Sequence, residues 1–400
     1  MEKILRFPQN FLWGCATSAY QVEGGIKNSD WSKFKDAGIA CDHYHLYEKD
    51  FDLLKKLNQN AYRFSIEWSR IEPKEGKFNQ REIQHYKRVV SALKKRKIVP
   101  FVVLWHFSLP LWFQNKKGWL NPESSKYFVR YSQKIVQALG RDVDFWMTIN
   151  EPMVYAVNAY LKAKWPPHRR NLLEMKKALG NLIEAHKAVY QIIHSVKEKT
   201  EVGVSKNSIC FLAYKNTLLN KCLAWLADYL WNDYFLKRIK NYQDFVGVNY
   251  YFYNRIRFRF KKRPSLKSFP VGFYNYDNQR LVSDIGWEIH PEGIYWVIKD
   301  VAEFKKPIYI TENGLADAKD KLRKNFIRDH LYWIHRAIKE GEDVRGYFHW
   351  SLIDNLEWEK GFAPRFGLIE IDYDTLRRKP RPSAFYYAEI CKENTLILDW

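Results

Sequence analysis

The sequence predicts an α/β protein, a single (β/α)8 or TIM barrel, and three observations carry the prediction. Strand-like and helix-like stretches alternate eight times along the 400 residues, the pattern of parallel strands joined by crossover helices. No Pro-, Gly- or Ser-rich linker interrupts that alternation to mark a domain boundary. Two strand-like runs end in glutamates, Glu151 and Glu312, which lie 161 positions apart (312 − 151). Carboxylates so distant in sequence face one pocket only if their strands converge, and a closed parallel barrel gathers its C-terminal strand ends around one mouth. The expectation is one unit spanning 1–400, with functional residues at the C-terminal strand ends and one excursion from the barrel at about 251–290.

Phe11–Ala16 reads as the first strand, running into Thr17-Ser18-Ala19-Tyr20-Gln21-Val22-Glu23-Gly24. A helix over His43–Leu57 follows, with Leu46, Phe51, Leu54 and Leu57 near helical spacing and Asp42 as N-cap. Ala61–Ile66 is the second strand and carries Arg63. A helix from Gln80 to Lys97 leads to the third, Ile98–Trp105, which ends at His106. Pro122 and Gly140 bracket the next helix as an N1 proline and a C-terminal glycine. The fourth strand, Phe145–Ile149, runs into Asn150-Glu151-Pro152, where a proline without an N–H cannot continue a central strand.

A long helical region, Asn171–Lys199, precedes the fifth strand, Val202–Ser205, and a helix over Lys221–Arg238 precedes the sixth, Phe245–Asn249. Between 251 and 290 there is no helical pattern. Arg255-Ile256-Arg257-Phe258-Arg259-Phe260 alternates basic and apolar with a period of two, an amphipathic strand outside the barrel. It reads as a hairpin shielding the barrel, ahead of a basic patch for nucleic acid or membrane. A helix over Glu292–Phe304 precedes the seventh strand, Ile308–Ile310. Glu312 arrives where that run stops, and Gly314 lets the chain turn sharply. A helix over Asn325–Glu340 leads to the eighth strand, Gly346–Trp350.

Hydrophobic content of 46% is ample for a large core, and aromatic content of 17% is high. Aromatic rings fill cores and also stack on sugars, so composition favours carbohydrate only weakly. The net charge of +21 and pI of about 9.5 raise nucleic acid or an anionic membrane as partners. The cations fall in short clusters on the polar faces of helices and in turns, so a solvated surface is expected. Nucleic acid is not expected as a partner, and only weak association with an anionic membrane surface stays open. High Lys, Arg and Glu also suit a thermophile.

Five cysteines without CxxC spacing read as reduced thiols, and the N-terminus lacks the apolar core of a signal peptide, so a cytoplasmic protein is expected. The longest apolar run, Ile98–Trp105, is too short to span a bilayer. His43-Tyr44-His45 invites a metal reading, but positions i and i+2 of a helix face different ways. No metal and no cofactor is expected, and no signal speaks to oligomeric state.

Standing alone, Glu312 reads as a capping or salt-bridged glutamate, because burying a carboxylate is costly. Paired with Glu151 it reads differently, since two carboxylates flanking a sugar are the machinery of glycoside hydrolysis. The stretches Phe11–Gly24, Ala40–Tyr47, Ala61–Arg70, His106–Trp112, Thr148–Pro152, Asp244–Tyr251, Gly286–Gly293, Tyr309–Gly314 and Gly346–Asp372 together resemble glycoside hydrolase family 1. In this order they cover nearly the whole chain, and the likeness is to an archaeal-like member of these retaining β-glucosidases and β-galactosidases.

The resemblance implies Glu312 as nucleophile and Glu151 as acid/base, with Asn150 on the sugar 2-hydroxyl. Arg63 and Tyr251 match the residues that contact the nucleophile. Gln21, His106, Trp350, Glu357 and Trp358 match those that hold the non-reducing sugar, and Trp287 lies towards the aglycone. Physical chemistry agrees. Arg63 would keep Glu312 ionised, while neutral Asn150 and the charge of Glu312 would raise the pKa of Glu151. An ionised Glu357 would accept bidentate hydrogen bonds from sugar hydroxyls.

Two departures matter. The chain is short between the fifth and sixth strands, at Arg238–Asp244, which would open the aglycone side. Phe107 stands where many members have tryptophan. Glu357 in place of the serine of the phospho-β-glycosidase branch implies an unphosphorylated sugar. The activity implied is exo-acting, retaining β-glycosidase, with small β-glycosides and oligosaccharides as substrates. A catalytically weak glycan-binding protein on the same fold is the alternative, and a basic scaffold a third reading.

Overall fold

The computed structural model describes residues 3–258, 271–274 and 280–398. Its centre is a closed barrel of eight parallel strands: β1 (Leu12–Ala16), β2 (Ala61–Ser65), β3 (Val99–Trp105), β4 (Phe145–Asn150), β5 (Glu201–Asn207), β6 (Val246–Tyr250), β7 (Ile308–Asn313) and β8 (Val344–Trp350). They pair in chain order, and β8 closes on β1 with Gly346 opposite Leu12. Nearly every strand residue is buried, as expected where helices cover the outside and side chains fill the inside. The filling is aromatic: Phe101 stacks on Phe145 with centroids 4.2 Å apart, and Phe245, Tyr309 and Phe348 close round them. That plug leaves the space above it, at the C-terminal strand ends, for the site.

Register breaks at the two strands that carry the glutamates. Between β4 and β5, Met147 pairs with Gly203 but Asn150 pairs with Ser205, three steps against two. Between β7 and β6, Ile310 pairs with Val248 and Glu312 with Asn249, two steps against one. One extra residue in each strand is a bulge, which re-aims the side chains beyond it. Thr148 and Ile149 therefore both leave the barrel interior, and Asn150 returns to it; Thr311 and Glu312 both face inwards.

Several expectations need correction. Asp42 sits at its helix N-terminus but with φ of 50° and no capping bond; its carboxylate takes His45 Nδ1 instead. Pro122 precedes rather than opens its helix, which spans Ser124–Leu139. The seventh strand runs on through Glu312 to Asn313. Gly314 is demanded by crowding, not by a left-handed turn: a Cβ there would lie 1.8 Å from the Trp350 carbonyl oxygen. The helix expected over Lys221–Arg238 starts at Leu218 and is interrupted by a π-turn over Tyr229–Asp233. A short strand, Cys210–Ala213, was not anticipated; it pairs with Tyr253–Phe258, which pairs in turn with Val271–Tyr274 in a three-stranded sheet outside the barrel. That sheet contains the expected amphipathic strand, with Ile256 buried, although Arg259 and Phe260 lie outside the described residues. Arg255 is not a solvated cation, because it pairs with buried Glu288 at 3.1 Å. No helix among the described residues is long and apolar enough to cross a membrane.

Candidate active site

Arg63, fully buried on β2, is the post on which the site is strung. Its Nη1 donates to Glu312 Oε1 at 2.5 Å, and its Nη2 donates to Asn150 Oδ1 at 2.6 Å and Ser205 Oγ at 2.9 Å. Tyr251, just beyond β6, donates its hydroxyl to Glu312 Oε2 at 2.5 Å, so both oxygens of that carboxylate are held. Asn249, near the end of β6, donates to Glu151 Oε1 at 2.9 Å and to Asn150 Oδ1 at 3.3 Å. Its own carbonyl accepts from Thr311 Oγ1 at 2.7 Å, which fixes the amide with its NH2 towards Glu151. Strand-end residues of β2, β4, β5, β6 and β7 thus form one hydrogen-bonded network between the two glutamates.

The two carboxyls differ in environment. Burial, followed by the negative charge of Glu312, pushes Glu151 up to about 8, against the hydrogen bond from Asn249 and the charge of Arg63. Burial also raises Glu312, but the charge of Arg63 and the hydrogen bond from Tyr251 oppose it directly. The arrangement holds one proton on Glu151 at neutral pH and favours the anion at Glu312. Sequence reasoning attributed the rise at Glu151 to Asn150 and Glu312. Burial is the larger cause, and the amides on its carboxyl are Asn249 and Asn207.

One wall is aromatic. His106 lies nearly parallel to Trp350 and Trp358, at 6.0 and 5.8 Å, and Tyr20 stacks behind Trp358 at 6.1 Å. Desolvation and Arg63 keep the His106 imidazole neutral. Asn150 has committed its oxygen to Arg63, so its NH2 donates to His106 Nε2 at 3.1 Å, which places the imidazole proton on Nδ1. That Nδ1 is buried and has no hydrogen-bond partner among the described residues, leaving a donor for a ligand. Gln21 donates to the Asn355 side chain at 3.1 Å and to the Leu356 carbonyl at 2.6 Å, and so anchors the loop that presents Glu357.

Glu357 is half-buried, and burial with the nearby charge of Glu359 pushes it up to about 8. Its carboxyl therefore holds a proton more readily than a free glutamate does. Trp287 stands apart from these groups, packed on Tyr251 at 5.6 Å and Phe252 at 4.8 Å.

Sequence reasoning missed Asn249, Ser205, Thr311 and Trp165, whose Nε1 donates to Glu359 at 2.6 Å behind Trp358. Asn249 and Ser205 had a signal, a small polar residue near the end of an otherwise apolar strand. Trp165 had none. The His43–His45 pair turns to separate carboxylates, Asp50 at 2.7 Å and Asp42 at 2.6 Å.

Comparison with known proteins places this geometry among relatives. The profile of glycosyl hydrolase family 1 matches residues 4–224 and 231–396. β-Glucosidase A of Thermotoga maritima is 33% identical over 98% of this chain and 99% of its own. A β-galactosidase of Pyrococcus woesei is 32% identical over 97% of both. The solved structure of a β-glycosidase from Pyrococcus horikoshii superposes with a TM-score of 0.92 at 40% identity, covering 98% of this chain and 96% of that one.

Proposed function

The chain belongs to glycosyl hydrolase family 1 and is a retaining exo-β-glycosidase of β-glucosidase type, and we propose that Glu312 is its nucleophile and Glu151 its acid/base. The observation that carries the assignment is the shared network: Arg63 and Tyr251 hold both oxygens of Glu312, while Glu151 is buried with a raised pKa. In the first step the Glu312 carboxylate attacks the anomeric carbon, the glycosidic bond breaks, and the Glu151 proton passes to the leaving oxygen. Esterified Glu312 carries no charge, so the second contribution to the raised pKa of Glu151 disappears, and the carboxylate just formed accepts a proton from water. That water attacks the anomeric carbon from the face the aglycone left, and the sugar departs with its β configuration.

Asn150, Gln21, His106, Trp350, Glu357 and Trp358 bind the terminal sugar, with the indoles against its apolar faces and Glu357 on hydroxyls at the far end. Trp287 flanks the aglycone. Substrates are unphosphorylated β-glucosides, with β-galactosides and β-mannosides also accepted. The whole chain acts as one catalytic domain in the cytoplasm of a thermophile.

Azide tests the division of labour with p-nitrophenyl and dinitrophenyl β-glucosides. Glu151→Ala should keep glycosylation by the dinitrophenyl substrate and accumulate glycosyl-enzyme, and azide should restore turnover as the β-glycosyl azide. Glu312→Ala with azide should give the α-glycosyl azide. Exchanged anomers would swap the two roles, and no β-specific turnover by the parent would leave the glycan-binding alternative.

A further inference from the structure

The helix Leu218–Asp228 and the π-turn after it are built inside out. The helix's inward face is polar or small, with Asn220 accepting from the Phe258 N–H at 2.9 Å and Ala224 buried beside it, and in the turn Asn232 brackets both backbone groups of Ile209 at 3.1 and 2.8 Å next to the core-packed Trp231. The outward face is apolar. Leu218 is 79% exposed and Trp225 69%, and Leu219, Leu226 and Leu230 stand out beside them. A surface helix ordinarily turns its leucines to the core and its asparagines to water, and a cluster of this kind on a water-facing surface marks an interaction site.

Three further observations choose the partner. Residues 202–227 contain no acidic residue, and Lys215 and Lys221 are exposed on this face, with Arg257 over the Tyr214 ring at 5.1 Å. The chain as a whole carries +21, so a second copy would be repelled and an anionic surface attracted. Finally, residues 225–230, which carry Trp225, Leu226 and Leu230, are the internal stretch that the family profile leaves unmatched, while Leu218 and Leu219 lie within the matched part. We propose that this helix docks the protein onto an anionic lipid bilayer, lying in the interface with Leu218, Trp225 and Leu226 among the acyl chains and the lysines at headgroup level. The active site, assembled at the strand ends, is not part of this face.

The test uses the full chain and sucrose-loaded vesicles of phosphatidylcholine alone or with about 30% phosphatidylglycerol. The parent should sediment with the anionic vesicles and not the neutral ones, and lose that binding as salt rises from about 50 to 500 mM. A variant carrying Leu218→Ser, Trp225→Ser and Leu226→Ser should bind at least about tenfold more weakly, with β-glucoside turnover unchanged as the check on folding. An environment-sensitive dye on Cys222, the one exposed cysteine of five, should shift to the blue on anionic vesicles without any change to the helix. Parent protein left in the supernatant at low salt would overturn the proposal. So would triple-variant binding equal to the parent's, or a dimer in sedimentation velocity that the triple substitution dissolves without vesicle binding by the parent.

Discussion

Asn249 shows how much one amide decides. It donates to Glu151 Oε1 at 2.9 Å, and Thr311 holds it in the orientation that donates; Asn207 also bonds that carboxyl, with a smaller effect on it. The Asn249 hydrogen bond stabilises the carboxylate and so lowers the pKa of Glu151, against burial and Glu312, which set it at about 8. The working form of Glu151 in the free enzyme is the protonated one, so kcat/KM should fall as pH rises through about 8. Asn249→Ala removes a contribution that lowers the pKa, and the alkaline limb should move to higher pH. The maximum of kcat/KM should drop about ten- to a hundredfold, the scale of a hydrogen bond to a charged group. Glu357 titrates in the same range, so the comparison belongs in a Glu357→Gln background, where one limb is left. An alkaline limb that stays in place in Asn249→Ala would mean this amide does not set the acid's pKa.

At the scale of elements, the bulges in β4 and β7 place the chemistry. Plain alternation would send Asn150 and Glu312 to the helix side of the barrel, and one extra residue in each strand brings them to the mouth. Beyond β7 the chain passes so close to β8 that only glycine fits, a Cβ on Gly314 meeting the Trp350 carbonyl at 1.8 Å. Gly314→Ala should therefore push the end of β7 away from Trp350, lower stability by about 1–3 kcal/mol as other overpacked sites do, and cut kcat/KM more than about tenfold. Thermal melts with kinetics check this, and an unchanged melt would show that the β7–β8 crossing yields freely.

Strand order, the barrel and both glutamates were legible because buried parallel strands announce themselves as apolar runs closed by polar residues. The bulges were not, since a bulge changes register without changing composition. The strand Cys210–Ala213 was hidden because its pairing partner, Tyr253–Phe258, lies 40 residues away in sequence. The start of the inside-out helix at Leu218 was hidden for a related reason: its core side is held by Asn220 and Ala224, while its leucines face outwards. Arg63, Tyr251 and the aromatic wall were reachable only through the family resemblance.

The whole molecule separates its charges into two populations. Some buried carboxylates are matched to arginines that clasp distant parts of the chain: Asp50 meets Arg378 at 2.9 Å, and Asp354 meets Arg381 at 2.9 Å. The ends are clasped too, with Lys3–Arg6 paired antiparallel to Thr395–Leu398 and Trp13 donating to Asn394 at 2.8 Å. With 66 lysines and arginines against 45 acidic residues, the excess falls on the surface, where like charges repel and oppose compactness. Salt screens that repulsion but hardly reaches the buried pairs. Raising NaCl from about 20 to 200 mM takes the Debye length below about 10 Å and should raise the midpoint of thermal inactivation. Over the same range kcat/KM on a neutral β-glucoside should stay within about twofold, because a neutral substrate is not steered by the field. Asp354→Asn, which leaves Arg381 buried without its counter-charge, should lower the midpoint at both salt concentrations by a similar amount, on the scale of about 3–5 kcal/mol for a broken buried pair. A midpoint that falls with salt in the parent would show that surface attraction, not repulsion, dominates, and a salt-dependent penalty in Asp354→Asn would show that the clasp is open to solvent.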